Sequence, residues 1–389
     1  MHYDFDEIID RRHTASMKYD GAALMGKPED LLPAWVADMD FRMPPAAIEA
    51  VKERADQGIF GYGLLPDGYF EAVSDWFAQR YGWQPHRSWL VTTPGVVFAL
   101  SLAIRVFTDP GDAILIQPPV YYPFKSIIEE AGGRRVCEAP LSFDGRGYSI
   151  DFDRFEETVA RVRPALFLLC NPHNPVGRVW TREELRRLGD ICLRYQVLVA
   201  SDEIHADFAR PGFTHTVYAS LGPSFEDRCI ICTAPSKTFN LAGLQVSNIF
   251  IPNEEMRRRY RDAYQALGLS QANTLGLVAA QACYEQGADW LDQLKDYLEE
   301  NHRTFEGILE KEAPVLSVIP SESTYLAWVD CRGLGMSEDE LRDAVEQRAR
   351  LWVDFGSQFG REGKGFVRLN LACPRATVSE MATRLARIA

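Results

Sequence analysis

The sequence has no long hydrophobic run, no basic leader and little positive charge for its 389 residues. No stretch approaches the roughly 18 consecutive apolar residues that a membrane-spanning helix requires. The first residues, from Met1 to Asp6, show neither the basic nor the apolar region of a signal peptide. The formal net charge is −13, so the chain would repel the phosphates of nucleic acids. We therefore expect a cytoplasmic protein with no membrane partner and no nucleic-acid partner.

The eight cysteines are scattered through apolar segments and lack the clustered arrangement of a zinc site. Cys229 and Cys232 have metal-like spacing, but neither a second pair nor a group of histidines accompanies them. Their apolar surroundings predict a buried strand and reduced thiols, as in cytoplasmic proteins. We therefore expect no metal site.

The chain contains 46% apolar and 25% charged residues, which is typical of a globular protein, and its length favours two or three domains. In the middle of the chain, short apolar runs alternate with amphipathic stretches, the pattern of βαβ units and a mainly parallel sheet. Buried strands are predicted at residues 113–116, 165–170, 197–200 and 228–232. A capping box at Thr181 predicts a helix that runs to about Tyr195.

The character of the chain changes near residue 289. A long charged helix is predicted at residues 290–311, and a pattern of strands and helices follows it. The sequence therefore predicts an α/β fold with a large domain at residues 46–285. A smaller α+β domain would consist of residues 1–45 and 286–389.

Polar clusters follow the predicted strands of the large domain, and they contain Gln117, Asn174, Asp202 and Lys237 in turn. Open α/β sheets bind ligands at the carboxyl ends of their strands. We therefore expect these side chains to meet around one crevice.

Lys237 and Asp202 carry the chemistry of this crevice. A loop lysine is ordinarily solvated, but a partly buried lysine beside a cofactor loses its proton more easily and can form a Schiff base. A carboxylate at a strand end can cap a helix, or it can face the pyridine nitrogen of pyridoxal 5′-phosphate (PLP) and keep it protonated. Asn174 and His205 can both reach the 3′ oxygen of that ring. Tyr121 either packs within its loop or lies against the cofactor.

A turn at Gly95, Val96 and Val97 leads into a predicted helix that runs through Arg105. The backbone N–H groups at the positive end of a helix dipole form a natural seat for a phosphate. A glycine before a helix is common, so this signal alone is weak.

Three segments, in this order, resemble the aminotransferase class I/II superfamily: Asn174-Pro175-Val176-Gly177, Ser201-Asp202-Glu203-Ile204-His205 and Ser236-Lys237-Thr238-Phe239-Asn240. Within that superfamily the chain is similar to the MalY/PatB-like cystathionine β-lyase (C–S lyase) branch. This second resemblance is carried by Trp35-Val36-Ala37-Asp38-Met39-Asp40-Phe41, Gly61-Tyr62-Gly63, Pro119-Val120-Tyr121-Tyr122-Pro123 and Gly365-Phe366-Val367-Arg368-Leu369-Asn370, the last flanked by Phe359-Gly360 and Cys373-Pro374-Arg375. The resemblance covers essentially the whole chain.

The resemblance implies a fold-type I PLP-dependent transferase, in which the large domain has a mainly parallel seven-stranded sheet. Lys237 would bind PLP as a Schiff base and later act as acid and base, and Tyr121 would stack on the ring. Either Tyr121 or Lys237 would be the catalytic acid that assists the departure of the thiolate. Arg368 would bind the substrate α-carboxylate in a bidentate pair, beside a substrate pocket that includes Ala37. The residues implied to bind the cofactor are Gly95, Val96, Val97, Tyr121, Asn174, Asp202, His205, Ser236, Lys237 and Tyr62. Tyr62 would reach the phosphate from the partner subunit of a homodimer.

Three positions depart from the wider aminotransferase pattern. Gln245 stands eight residues after the lysine, where an arginine commonly binds phosphate, and Ala234 stands three residues before it, where serine is common. His205 replaces a tyrosine that commonly faces the 3′ oxygen, which leaves its role open. All three departures agree with the lyase branch.

The sequence therefore predicts a PLP-dependent carbon–sulfur β-lyase that cleaves cysteine thioethers to pyruvate, ammonia and a thiol. An aminotransferase is the alternative, because both reactions begin with the same residues and the same proton abstraction. A third reading is a regulatory binding protein that keeps the fold without the chemistry. The presence of Lys237, Asp202, Asn174 and Arg368 argues against a purely non-catalytic role.

Overall fold

A seven-stranded sheet forms the centre of the computed structural model, which describes residues 2–269 and 271–389. In spatial order its strands are Leu90–Thr93, Ser247–Phe250, Cys229–Thr233, Leu198–Asp202, Leu166–Cys170, Ala113–Ile116 and Arg135–Glu138. All neighbouring strands pair in parallel except at Ser247–Phe250, which runs antiparallel to both of its neighbours. The predicted α/β class and mainly parallel sheet are confirmed.

The central strands of this sheet are buried at every residue, as in Ala113–Ile116, Leu198–Asp202 and Cys229–Thr233. Helices cover both faces of a parallel sheet, so such strands consist of continuous apolar runs. The four strands predicted from apolar runs lie within two residues of their predicted bounds. Because these strands run in the same direction, their carboxyl ends meet at one edge of the sheet.

The helices begin and end close to the predicted signals. The Thr181 hydroxyl accepts a hydrogen bond from the Glu184 backbone N–H, and the Glu184 carboxylate accepts one from the Thr181 N–H, which completes the predicted capping box. The α-helices of the described residues are Met17–Asp20, Pro45–Asp56, Tyr69–Tyr81, Val96–Phe107, Pro123–Glu129, Phe152–Val162, Arg182–Arg194, Pro223–Glu226, Pro235–Thr238, Glu254–Ala266, Thr274–Gln286, Ala288–Glu312, Glu338–Asp343 and Arg375–Ala386. Within residues 2–269 and 271–389, none of the helices is both long enough and apolar enough to cross a membrane.

A second, antiparallel sheet has four strands in the order Ser317–Val318, Leu326–Asp330, Phe366–Asn370 and Asp354–Phe355. Its apolar face shares a core with the C-terminal half of the helix Ala288–Glu312 and with the helix Arg375–Ala386. Phe305, Val367 and Met381 belong to this core. The domain limits at residues 46–285 stay a prediction.

Two short strand pairs complete the fold. Leu32–Pro33 pairs in parallel with Leu351–Trp352, and Ser142–Phe143 pairs with Tyr148–Ser149 in an antiparallel hairpin. The first pair fixes the N-terminal segment beside the four-stranded sheet. The chain that follows Pro33 then leads to the carboxyl-end edge of the large sheet.

Candidate active site

A cavity of about 380 Å³ lies at the carboxyl ends of the parallel strands. Most of the predicted site residues line it: Ala37, Gly95, Val96, Val97, Tyr121, Asn174, Asp202, His205, Ser236, Lys237 and Arg368. Tyr62 does not line this cavity, and its side chain is 99% exposed. The fold thus gathers residues that are up to 331 positions apart in the chain, from Ala37 to Arg368, around one space.

Lys237 enters the cavity from the short helix Pro235–Thr238, which directly follows the strand Cys229–Thr233. Its Nζ donates a hydrogen bond to the Ala37 carbonyl at 2.5 Å. Burial lowers the pKa of Lys237 to about 8, although the Asp38 carboxylate acts in the opposite direction. At pH 7 about a tenth of this amine is therefore uncharged and nucleophilic, far more than for a solvated lysine, as Schiff-base chemistry requires.

Asp202 is the last residue of the strand Leu198–Asp202, and it is 4% exposed. Its carboxylate accepts a hydrogen bond from the Ile204 backbone N–H at 3.1 Å. Burial raises the pKa of Asp202 to about 7, and the Glu203 carboxylate adds to this effect. One hydrogen bond offsets little of the free energy that burial of a carboxylate costs. A cation bound beside Asp202 in the cavity would stabilise its charged form.

His205 and Asn174 face the same cavity as Asp202. Burial lowers the pKa of His205 to about 3, so its ring is neutral, and its buried Nδ1 has no hydrogen-bond partner among the described residues. The Asn174 Oδ1 accepts a hydrogen bond from Arg368 Nη1 at 3.0 Å, which orients the amide. The amide nitrogen is then the donor that Asn174 can offer to a ligand oxygen.

Arg368 lies in the strand Phe366–Asn370 and is 2% exposed. Its guanidinium donates to the Trp35 carbonyl at 2.9 Å and forms an ion pair with Asp354. It also stacks over Phe359, with 4.9 Å between Cζ and the ring centroid. Its Nε is buried and has no partner among the described residues. The arginine is therefore held rigidly and still has a donor for an anion.

The helix Val96–Phe107 begins at the rim of the cavity, with Gly95 at its N-cap. Val96, Val97 and Ser236 also line the cavity, and the first turn of a helix leaves its backbone N–H groups without partners inside the helix. Gln245 lines the same cavity, at the position where the wider family pattern has arginine. This corner has the donors that a phosphate group needs.

The residues fit PLP. Asp202 lacks a cationic partner that a protonated ring nitrogen would supply, and Lys237 offers a neutral amine for an aldehyde. The helix N-terminus at Gly95 suits a phosphate. A ligand with these three groups would satisfy the polar atoms that the fold leaves open in the cavity.

Several residues at the site were not predicted from the sequence. Asp354 pairs with Arg368 because the two are direct partners in the antiparallel register of their strands, which no local motif encodes. Tyr325 donates its hydroxyl hydrogen to the Ala37 carbonyl at 3.1 Å, across 288 positions of the chain. Asn370 and Asn240 lie in two of the segments that resemble the family. Their position in those segments was the only sequence signal that could have indicated them.

The chain is matched over residues 36–385 by a family model described as aminotransferase class I and II. It is 41% identical to cystathionine beta-lyase PatB of Bacillus subtilis (strain 168), over 98% of each chain. A PLP-bound putative aminotransferase from Clostridium difficile 630 has a TM-score of 0.97 and 40% identity, and each chain is covered in full. Cystalysin from Treponema denticola, which contains PLP, has a TM-score of 0.96 and 37% identity over 100% of this chain and 99% of that one.

These matches confirm the expected resemblance and the fold-type I architecture. They extend over nearly the whole length of each protein, so they include both sheets and the cavity between them. The chain belongs to the aminotransferase class I and II family.

Proposed function

We propose that this protein is a PLP-dependent carbon–sulfur β-lyase of the cystathionine β-lyase type. It cleaves cysteine thioethers to pyruvate, ammonia and a thiol. The observation that carries the proposal is the 41% identity, over 98% of both chains, to a protein named cystathionine beta-lyase. The cavity supports it, because Lys237, Asp202 and Arg368 all line one space.

Each part of the cofactor has a partner in the chain. Lys237 would hold the aldehyde carbon, Asp202 would pair with the ring nitrogen, and Asn174 would donate to the 3′ oxygen. The helix N-terminus at Gly95 and the Ser236 hydroxyl would bind the phosphate, and the Tyr121 ring would pack against the pyridine. When bound, PLP supplies an electron sink for the electron pair left on the substrate Cα.

Arg368 and Lys237 divide the work on the substrate. The rigid Arg368 guanidinium binds the α-carboxylate, and this contact fixes the Cα hydrogen relative to the lysine. The free Lys237 amine would take up the Cα proton as a general base. Its pKa of about 8 suits both the acceptance and the return of a proton near neutral pH.

The leaving group is a thiolate, which departs readily because thiol pKa values lie near about 8.5. Burial raises the pKa of Tyr121, so its hydroxyl keeps its proton and can donate a hydrogen bond to the departing sulfur. Ala37 and its neighbours in the N-terminal segment form the wall that faces the substrate side chain. Because Gln245 and Ala234 replace the arginine and serine that are common in the wider family, backbone N–H groups would make more of the contacts to the phosphate.

The proposed enzyme is a homodimer in which Tyr62 reaches the phosphate of the partner subunit. Tyr62 lies among other exposed apolar side chains, Ile59, Phe60 and Leu64, which are 75%, 59% and 90% exposed. A second copy that covers them would remove this surface from water. Mixing Tyr62→Phe with Lys237→Ala subunits should restore about a quarter of the sites at limiting PLP if Tyr62 acts in trans, and none if it acts in cis.

The proposed compartment is the cytoplasm. All eight cysteines are buried free thiols, which suits a reducing environment.

Cystathionine separates the two candidate reactions directly. The purified enzyme, saturated with PLP and given no keto acid, should release pyruvate and thiol at a steady rate. If amino-group transfer to an added keto acid is required for turnover, the protein is an aminotransferase and the lyase proposal is wrong. Lys237→Ala provides the blank for cofactor-independent breakdown.

A further inference from the structure

Residues 34–41, here called the strap, run along the cavity, which Val36 and Ala37 line. The strap bonds to Lys237 on one side and to the strand Phe366–Asn370 on the other. The strap is neither helix nor strand, so its backbone carbonyls have no regular hydrogen-bond partners. Buried carbonyls without partners are costly, and an irregular buried segment needs donors from elsewhere in the fold.

Side chains and backbone groups supply those donors at six consecutive residues of the strap. The carbonyls of residues 34–39 accept hydrogen bonds, in order, from the Asn370 N–H, Arg368, the Asn370 side chain with the Asp38 N–H, Lys237 with Tyr325, the Asn370 side chain with Lys18, and Asn240 with Arg11. Regular structure normally provides such a complete set of partners. Here specific side chains hold an irregular segment in a single path.

Two asparagine side chains bond the strap: Asn240 at Met39 and Phe41, and Asn370 on both sides of residue 37. Asn370 is the one next to the Ala37 carbonyl. It is fully buried, and its Nδ2 donates to the carbonyls of Val36 at 2.8 Å and Asp38 at 2.6 Å. These two bonds lie on either side of residue 37, so they fix the direction of the peptide between them. Its Oδ1 accepts from the Ala372 N–H at 2.8 Å, which orients the amide.

The peptide fixed in this way carries the Ala37 carbonyl, which accepts from Lys237 Nζ at 2.5 Å. The hydroxyl of Tyr325, also fully buried, donates to the same oxygen at 3.1 Å. Two donors that converge on one carbonyl restrict its position. A lysine side chain otherwise retains much rotational freedom, and the restriction of its amine reduces the entropy lost when it reacts.

We propose that Asn370 and Tyr325 are positioning residues, which hold the Ala37 carbonyl so that it directs the Lys237 amine into the cavity for capture of the cofactor aldehyde. The inference rests on the proposed role of Lys237 as the Schiff-base lysine. Neither residue lines the cavity, so both would act through the strap.

Asn301 provides a matched control for Asn370. It is also fully buried, and its Nδ2 donates to two carbonyls, those of Leu371 at 3.0 Å and Cys373 at 2.9 Å. Its acceptors lie outside the strap. Asn370→Ala and Asn301→Ala therefore remove the same kind of buried contact, and only the first removes direct donors to the strap. The Asp38 N–H and Lys18 still bond the Val36 and Asp38 carbonyls, so Asn370→Ala loosens the strap beside Ala37 without freeing it.

The experiment measures how fast the full-length enzyme, stripped of cofactor, forms its Schiff base after mixing with PLP. Visible absorbance gives the rate, and borohydride reduction followed by peptide mass spectrometry confirms that Lys237 has reacted. Asn370→Ala should slow the reaction about tenfold, a modest loss for a misplaced reacting group. Asn301→Ala should leave the rate within about twofold of wild type at a similar loss of thermal stability.

Equal rates for the two alanine variants would overturn the inference, because the loss of buried contacts in general would then explain the result. If the wild-type protein forms no Schiff base at Lys237, the proposed function itself fails, and that outcome is distinct from the first.

A tyrosine pair tests the same inference with a smaller change. Tyr260 is fully buried and donates to the Ala99 carbonyl at 3.1 Å, the distance that separates Tyr325 from Ala37. Tyr325→Phe should slow Schiff-base formation about threefold, the effect of one hydrogen bond, and Tyr260→Phe should not slow it. If Asn370→Ala does not fold, this pair decides the question, and equal rates for the two phenylalanine variants would overturn the inference.

Discussion

The two sheets contribute to the cavity in opposite ways. The edge of the seven-stranded sheet presents polar groups with few protein partners: Asp202 accepts a bond from one backbone N–H, and the buried Nδ1 of His205 has no partner among the described residues. The four-stranded sheet presents Arg368, whose guanidinium is already bonded to Asn174, to Asp354 and to the carbonyl of Trp35.

This difference in hydrogen bonding indicates which ligand each sheet binds. Buried polar atoms without partners destabilise a fold unless a ligand satisfies them, so the first side suits a resident cofactor. A guanidinium that the protein already holds in place can bind and release an anion without rearrangement, which suits a substrate that turns over. Mutations on the first side should therefore affect cofactor chemistry, and those on the second should affect substrate affinity.

The largest effect is expected for Lys237→Ala, on the cofactor side. The variant should lose the absorbance of the Schiff base near ~420 nm and all measurable lyase activity, because it lacks the amine that binds PLP and moves the Cα proton. Spectra and pyruvate release measure both losses. Lys125→Ala, which removes an exposed lysine, is the control and should behave as wild type.

Asp202→Asn should lower kcat on the order of 100-fold, an effect typical of the loss of one preorganised charge partner. The asparagine has the same shape but cannot keep the ring nitrogen protonated, so the electron sink is weaker. Asp330→Asn is the matched control, because Asp330 also ends a strand but belongs to the four-stranded sheet and pairs with Arg332. Equal kcat values for Asp202→Asn and wild type would remove Asp202 from the cofactor site.

Arg368→Lys should raise KM for the amino acid about 10- to 100-fold, the cost of losing hydrogen bonds to a charged group. Lysine keeps the charge but loses the planar fork that binds a carboxylate with two donors. The Schiff base should still form, since Lys237 and Asp202 are unchanged, although Asn174 loses the contact that orients its amide. Loss of the Schiff-base absorbance with an unchanged KM would reverse the division between the two sides.

A smaller effect concerns pH. The neutral amine is the nucleophile, so the rate at which the cofactor-free enzyme captures PLP should rise with pH and level off above about 8, because burial lowers the pKa of Lys237 to that value. Nα-acetyl-lysine in the same buffers corrects for the titration of PLP itself, and its rate should keep rising towards pH ~10.4. An enzyme profile that follows the free lysine would mean that the amine is solvated.

Much of the fold could be predicted from the sequence because its signals are local. Buried parallel strands are continuous apolar runs, as in Ala113–Ile116, and the helix after Thr181 begins at a capping box. The antiparallel direction of Ser247–Phe250 depends on how the chain returns to the sheet edge, and no short pattern encodes it.

The site divides in the same way. Lys237, Asp202 and Asn174 each lie in a short motif at or after the end of a predicted strand, so their meeting at one crevice could be predicted from the sequence. Their roles come from the family resemblance and stay a prediction. Asp354 could not be predicted, because its pairing with Arg368 depends on strand register. Tyr325 depends on a contact between distant parts of the chain. The role of Tyr62 stays a prediction, since it concerns a second subunit.

The most direct test of the central claim is to reduce the purified, PLP-loaded enzyme with borohydride and to map the modified peptide by mass spectrometry. Reduction makes the bond between lysine and cofactor permanent, so the site of attachment can be read. The pyridoxyl group should be found on Lys237. Its attachment to a different lysine, or its absence from every peptide, would contradict the account.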